Sequence, residues 1–227
     1  FYEFEGSMIS QYRQIGEAVP PLFSRSLAWE VLNYFRAKPK VKIEFKQKNE
    51  ADIYQGQIKE NTIKTIDCFS GAGGLSLGFE LAGFETALGF DINEDAIKTF
   101  KHNISKNAIV ASVEDQNLSP KIIEYIDDDD FVIVGGPPCQ GFSQQRRGSN
   151  DDIRNNLVLS YAKLIDKLKT LPKAVVLENV TYLDSPRGKK ILTEYIHRLE
   201  KLGYVTFRHN MNSGDFLVPQ LRKRIII

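Results

Sequence analysis

From Ile63 onward, short apolar runs alternate with amphipathic stretches, and glycine clusters mark several of the junctions. A buried strand reads as a brief apolar run and a surface helix as a 3.6-residue period, so this alternation specifies an α/β fold with a mainly parallel sheet and helices on both faces. The strand candidates are Lys64–Phe69, Thr86–Phe90, Phe131–Val134, Ala174–Leu177 and Val205–His209. Between them, Leu157, Tyr161, Leu164, Ile165 and Leu168 share one helical face. Ile191, Leu192, Tyr195, Ile196, Leu199 and Leu202 share another, with Gly203 placed as its C-terminal cap.

The region before Ile63 differs. Pro20-Pro21 opens an apolar-periodic stretch, Leu22–Phe35, as proline does at a helix start. Ala37–Asn61 is rich in lysine, glutamate and glutamine, with a brief alternation at Val41, Ile43 and Phe45, which is the composition of a linker carrying one edge strand. The run Asp127–Asp130 reads as a solvated loop before a strand. The expected organisation is therefore a segment at 1–36, a linker at 37–62 and one α/β domain at 63–227, since 227 residues suffice for a single well-buried core.

Composition narrows the class further. Hydrophobic residues at 42% and charged residues at 26% exclude disorder, collagen-like repeats and coiled coil. A formal charge of +1 requires any nucleic-acid surface to be local. No run reaches the roughly 18 apolar residues of a membrane helix and no signal peptide opens the chain, so a cytosolic protein without a membrane partner is expected. Cys68 and Cys139 read as thiols; His102, His197 and His209 form no pair at ligand spacing, so no metal site is expected. The chain opens on Phe1 and stops inside the apolar run Ile225-Ile226-Ile227, which reads as mid-strand and predicts a longer native polypeptide.

Three junctions carry chemistry. Strand Lys64–Phe69 runs into Ser70-Gly71-Ala72-Gly73-Gly74 and then a helical stretch, Leu75–Leu81. Such glycines let a ligand approach the backbone while the helix N-terminus offers unpaired N–H groups. Serine at position 76 denies the third glycine of a dinucleotide loop, which argues against a dinucleotide oxidoreductase, while Asp91 closes the next strand where a carboxylate meets ribose hydroxyls. An adenosine-containing ligand fits this arrangement; a tight structural turn with a surface aspartate is the plainer reading.

Gly135-Gly136-Pro137-Pro138-Cys139-Gln140-Gly141-Phe142-Ser143 follows the next strand directly. Glycines permit an irregular path and prolines stiffen it, so Cys139 is presented as a nucleophile, whereas Cys68 inside its strand fits a small buried hydrophobe. Gln144–Arg154 is polar and carries Arg146, Arg147 and Arg154, as a phosphate-touching loop or a merely solvated one would. Glu178-Asn179-Val180 follows Ala174–Leu177, beside the cysteine loop if the strands are neighbours; a carboxyl group in an apolar cleft can stay protonated and donate a proton, a helix cap or surface charge being the alternative. Finally Gln220-Leu221-Arg222-Lys223-Arg224 puts Arg222 and Arg224 on one face by alternation, to grip a base edge or phosphate, or simply as a basic strand entry.

Taken in order, Asp67-Cys68-Phe69-Ser70-Gly71-Ala72-Gly73-Gly74, Asp91, Pro138-Cys139-Gln140, Glu178-Asn179-Val180 and Gln220-x-Arg222-x-Arg224 resemble motifs I, II, IV, VI and VIII of the DNA (cytosine-5)-methyltransferases. Tyr12–Pro21 resembles motif X, which in most of that family comes last; here it comes first, so the chain resembles a circularly permuted member. Phe1 to Ser10 would be the tail of motif IX, and both ends of the chain would flank a target-recognition domain absent from it. Two departures stand out. Glu17 stands where the family usually has asparagine, and either Ser112-Val113 or Glu114-Asp115 meets the adenine edge.

The resemblance implies a Rossmann-like fold binding S-adenosylmethionine, with S-adenosylhomocysteine as product, and double-stranded DNA as substrate. It implies Cys139 as nucleophile on cytosine carbon 6, Glu178 at N3, and Arg224 on O2 supported by Arg222. The cofactor would meet Phe69, Ser70, Gly71, Gly73, Gly74, Leu75, Asp91, Ile92, Ser112, Val113, Pro138, Glu17 and Ala18. Gln140, Ser143, Arg154, Asn179 and Gln220 would meet the nucleic acid, with the base flipped from the duplex. A recognition domain elsewhere on the chain or on a second subunit, and an otherwise monomeric protein, complete the expectation. An RNA (tRNA) cytosine-5 methyltransferase and a non-catalytic cofactor-binding subunit are the competing readings.

Overall fold

The computed structural model describes residues 2–36, 63–127, 129–138 and 156–227. In chain order these hold α1 (Met8–Glu17), α2 (Pro21–Arg36), β1 (Lys64–Cys68), α3 (Gly74–Leu81), β2 (Glu85–Asp91), α4 (Glu94–Asn103), β3 (Ala108–Val110), α5 (Leu118–Ile126), β4 (Phe131–Gly135), α6 (Asn156–Asp166), β5 (Ala174–Val180), α7 (Lys189–Lys201), β6 (His209–Asn212) and β7 (Lys223–Ile226). The strands form one sheet in the order β3-β2-β1-β4-β5-β7-β6. The first five run parallel; β7 enters antiparallel between β5 and β6. This is the expected α/β fold, a mostly parallel Rossmann-like sheet, and the order reverses at β1, whose neighbours are β2 and β4.

Strand alternation builds a core on each face. Ile133 of β4, Leu177 of β5 and Ile225 of β7 face one layer with α5, α6 and α7 residues such as Ile122, Tyr161 and Tyr195. Their neighbours Val132, Val134, Val176 and Ile226 face the other, against Phe23 and Leu27 of α2 and Leu75 and Phe79 of α3. Burying Phe23 and Leu27 contributes roughly 1.5–3 kcal/mol each. Helix α2 comes this close to α3 because Gly78 has no side chain: a Cβ there would lie 2.3 Å from Ser24 Cβ. The chain entering α1 is tied to α4, where Thr99 Oγ1 donates to Gln14 Oε1 at 2.6 Å and Asn103 Nδ2 donates to the Glu3 carbonyl at 2.7 Å.

Beyond one-residue differences at the ends of β1, β2 and β4, the strands depart from expectation in three places. β5 does not stop at Leu177 but continues through Val180, because β7 pairs with Glu178, Asn179 and Val180. The strand expected at Val205–His209 lies instead at His209–Asn212; Val205 is 72% exposed, so its apolar side chain had no face to bury. The edge strand β3 has no counterpart among the expected strands, being only three residues long. The alternation at Val41, Ile43 and Phe45 and the whole 37–62 stretch lie outside the described residues. Among the described residues no helix is long and apolar enough to cross a membrane, and no group of three His, Cys, Asp or Glu side chains could hold a metal ion.

Candidate active site

The glycine turn leaves β1 through a strained residue. Phe69 has φ +59, a region that costs a β-carbon-bearing residue about 1–2 kcal/mol, and its ring meets Tyr161 edge-on at 6.1 Å. Gly71 follows at φ +51, and a Cβ there would face open space, so the backbone is exposed to a ligand at this point. Gly71 N donates to Asp91 Oδ2 at 3.0 Å, and Asn93 N to Asp91 Oδ1 at 2.8 Å. The carboxylate retains acceptor capacity beyond these donors. Burial pushes the Asp91 carboxyl up, partly offset by the backbone donors of Asn93, Gly71 and Ile92.

Around this turn, Ser70 is buried with its Oγ unpartnered among the described residues, while its carbonyl accepts from Gly73 N at 2.9 Å. Gly73, at φ +93, opens α3. The Leu75 carbonyl accepts from Ser24 Oγ at 2.6 Å, and a Cβ on Gly74 would fall 2.2 Å from the Val19 carbonyl oxygen. The Tyr2 hydroxyl donates to the Ala72 carbonyl. The segment before β1 therefore closes over the turn. Ile92 is 74% exposed beside Asp91, as one wall of an open pocket would be. An exposed turn backbone, a bidentate acid and an unpartnered buried hydroxyl fit an adenosine-bearing cofactor such as S-adenosylmethionine.

The adenine-edge candidates now differ in their commitments. Glu114 Oε1 accepts from Ser160 Oγ at 2.8 Å and Asp115 Oδ1 from Asn117 N at 2.8 Å. Among the described residues Ser112 Oγ accepts only from Glu114 N, at 3.2 Å, and Val113 is buried.

At the other side of the switch point, Glu178 is 6% exposed. Its Oε2 lies near Gly136, where an added Cβ would be 3.3 Å away, so the loop leading to Cys139 passes directly over the carboxyl group. Asn179 Nδ2 donates to the Pro137 carbonyl at 3.0 Å and pins that loop; Pro138 is its last described residue. Arg224 Nε lies 2.8 Å from Glu178 Oε1, a contact of charge without the alignment of a hydrogen bond, and Oε1 has no aligned donor among the described residues. Burial raises the Glu178 carboxyl above its ordinary range, with Arg224 and then Arg222 pulling the other way.

Arg222 lies just before β7 and turns towards α1, donating to the carbonyls of Gly16 at 3.2 Å and Glu17 at 3.1 Å. The Glu17 side chain is exposed and pairs with Arg13 at 3.4 Å, and Ala18 caps α1 through its N–H to the Gln14 carbonyl. Gln220 is exposed, its carbonyl accepting from Ser213 Oγ at 2.8 Å. Cys139, Gln140, Ser143 and Arg154 lie outside the described residues.

A residue of the first motif with no role in the resemblance has a distinctive site of its own. Asp67 is fully buried in β1; its Oδ2 accepts from Ser76 N at 3.2 Å and Ser76 Oγ at 2.6 Å, and its Oδ1 has no partner among the described residues. Burial pushes its carboxyl up to about 7. The signal was present in the sequence, since an acid in the middle of the apolar run Ile66-Asp67-Cys68 must be held by something.

The model of the family described as C-5 cytosine-specific DNA methylase matches residues 63–227. Among curated proteins, the chain is 36% identical over 173 residues to the Type II methyltransferase M.AgeI of Thalassovita gelatinovora, covering 73% of this chain and 39% of that protein. It is 39% identical over 168 residues to the Type II methyltransferase M1.HphI of Haemophilus parahaemolyticus, covering 71% and 44%. It thus spans less than half the length of either relative. Among solved structures, a DNA modification methyltransferase encoded within an E. coli prophage superposes with a TM-score of 0.58 at 28% identity, covering 73% of this chain and 45% of that one.

Proposed function

We propose a reaction for this chain from one premise, that it belongs to the C-5 cytosine-specific DNA methylase family, whose model matches it over residues 63–227. The proposed reaction is methyl transfer from S-adenosylmethionine to carbon 5 of a cytosine flipped out of double-stranded DNA, in the setting of Type II modification. The observation that carries this reading is the buried Glu178, paired with Arg224 at 2.8 Å and roofed by the Gly136-Pro137 stretch that leads to Cys139.

Carbon 5 of cytosine is a poor nucleophile, and an attached nucleophile at carbon 6 changes that. In the proposed sequence, the Cys139 thiolate forms a bond to carbon 6, and the protonated Glu178 gives its proton to N3 or shares it by hydrogen bond. Carbon 5 is then enamine-like. Arg224 holds O2 of the base. After methylation, a base takes the proton from carbon 5, the Cys139–carbon 6 bond breaks to restore the thiolate, and N3 returns its proton to Glu178, leaving neutral 5-methylcytosine. The bound cofactor supplies the methyl group and leaves as S-adenosylhomocysteine. Asp91 would hold its ribose, Phe69 and Ile92 would flank its adenine, and Ser112-Val113 would meet the adenine edge, because the Glu114 and Asp115 carboxylates already serve Ser160 and Asn117.

The permuted order belongs to the same proposal. Its support is the packing of 2–36 against the glycine turn, through Tyr2 on Ala72, Val19 on Gly74 and Ser24 on Leu75. In this proposal, site choice on the DNA falls to a recognition region outside these 227 residues, on the same polypeptide or a second subunit; what supports it is that the chain spans 39% and 44% of the two relatives compared above.

The test is tritium transfer from labelled S-adenosylmethionine to duplex DNA and to tRNA, with wild type and Cys139→Ala. Transfer to duplex DNA alone, abolished in Cys139→Ala while calorimetry still registers S-adenosylhomocysteine binding, is the expected result. Transfer to tRNA alone, or full activity in Cys139→Ala, overturns it.

A further inference from the structure

Arg222 stands between the two halves of the site. Its Nη1 and Nη2 donate to the Gly16 and Glu17 carbonyls, which belong to the last turn of α1, where unpaired carbonyls and the helix dipole favour a cation. A planar guanidinium makes this two-pronged contact and an ammonium cannot. On the strand side, Arg222 lies close enough to the Glu178–Arg224 pair for both charges to act on it; burial and Arg224 lower its pKa while Glu178 raises it. The chain it holds continues through Ala18 to Val19, whose carbonyl oxygen occupies the space a side chain on Gly74 would need. The end of α1 is thus gripped from two sides, by the glycine turn and by Arg222.

We infer that Arg222 is a positioning residue that acts on the cofactor side: it does not hold the base, but fixes the end of α1 as a wall of the cofactor pocket against the strand that carries Arg224. The inference rests on the proposed reading for the identity of the ligand, while the geometry that motivates it does not. It separates two arginines that alternation alone treats as a pair. Arg224 serves Glu178 and the base, and Arg222 serves the Glu17-Ala18 corner.

The experiment compares Arg222→Lys with Arg224→Lys in the full-length protein. Losing a charged two-pronged contact worth one to two strong hydrogen bonds weakens S-adenosylhomocysteine binding by about tenfold in Arg222→Lys, by titration calorimetry, and its kinetic loss falls mainly on KM for S-adenosylmethionine. Arg224→Lys shows the opposite split, with cofactor binding kept and the loss falling on kcat. If Arg222→Lys, with wild-type melting behaviour, binds S-adenosylhomocysteine as wild type does and loses kcat as Arg224→Lys does, Arg222 holds the base and the inference is wrong. A wild-type protein that binds no S-adenosylhomocysteine overturns the proposed function itself, and this inference with it.

Discussion

The two halves of the site are built in different ways. The centre of the half proposed to hold the cofactor is contiguous: β1, the glycine turn, α3 and β2 follow one another within Lys64–Asp91, and Asp91 accepts from Gly71 N. The half proposed to hold the base is assembled from distant stretches, with Glu178 from β5 and Arg224 from β7 brought together because those strands pair antiparallel with Val180 opposite Arg224. A contiguous half rests on local backbone geometry, and an assembled half rests on strand register. Damage to one should therefore leave the other recognisable.

The largest separation is expected from Glu178→Gln. Removing the proposed general acid is expected to lower kcat by about 10²–10⁴, while S-adenosylhomocysteine affinity stays at the wild-type value. Because burial raises the Glu178 pKa, its protonated fraction falls as pH rises, so the Glu178-dependent part of kcat declines with rising pH. The glutamine variant lacks that decline. A parallel loss of cofactor binding would mean that the halves are not separable.

Asp67→Asn tests the contiguous half. With a folded pKa of about 7 against an ordinary 3.8, folded Asp67 keeps its proton where unfolded Asp67 has lost it. Its contribution to stability is therefore full below about pH 4 and falls by roughly 4 kcal/mol as pH rises to about 7. Asparagine does not titrate, so thermal melting from pH 4 to 8 should show a downward slope in wild type that the variant lacks. Equal slopes would place the shift elsewhere.

Gly74→Ala sets a Cβ 2.2 Å from the Val19 carbonyl oxygen and must push α1 and α2 from the turn. Overpacking of this kind costs about 1–3 kcal/mol, read as a lower denaturation midpoint together with weaker S-adenosylhomocysteine binding. Glu17→Asn is the smallest change, since the ion pair with Arg13 is 65% exposed at both side chains and Arg222 uses only the Glu17 backbone. Its stability should stay within about 0.5 kcal/mol of wild type in chemical denaturation.

The same contrast explains what could be read from the sequence. Asp91 was placed at the end of its strand, and the turn at Gly71 and Gly73 was placed between β1 and α3, because each depends on neighbours within a few residues. The sequence puts Glu178 just beyond its strand, because the extension of β5 depends on β7, more than 40 residues away in sequence. Arg222 and Arg224 were put on one face by alternation; their different partners, α1 and Glu178, are set by packing that no local pattern encodes. Val205 and Phe207 suggested a strand by composition alone, yet they are 72% and 39% exposed, and β6 formed where β7 offered a partner.

The position of β7 also sets a timetable for synthesis. It follows β6 in sequence yet lies between β5 and β6 in the sheet. A nascent chain can complete the glycine turn, with Tyr2 and α2 already made, long before Arg224 leaves the ribosome. Until β7 arrives, β5 presents an open edge of the kind that invites pairing with other chains, and covering that edge waits for one short strand near the end of this stretch of chain.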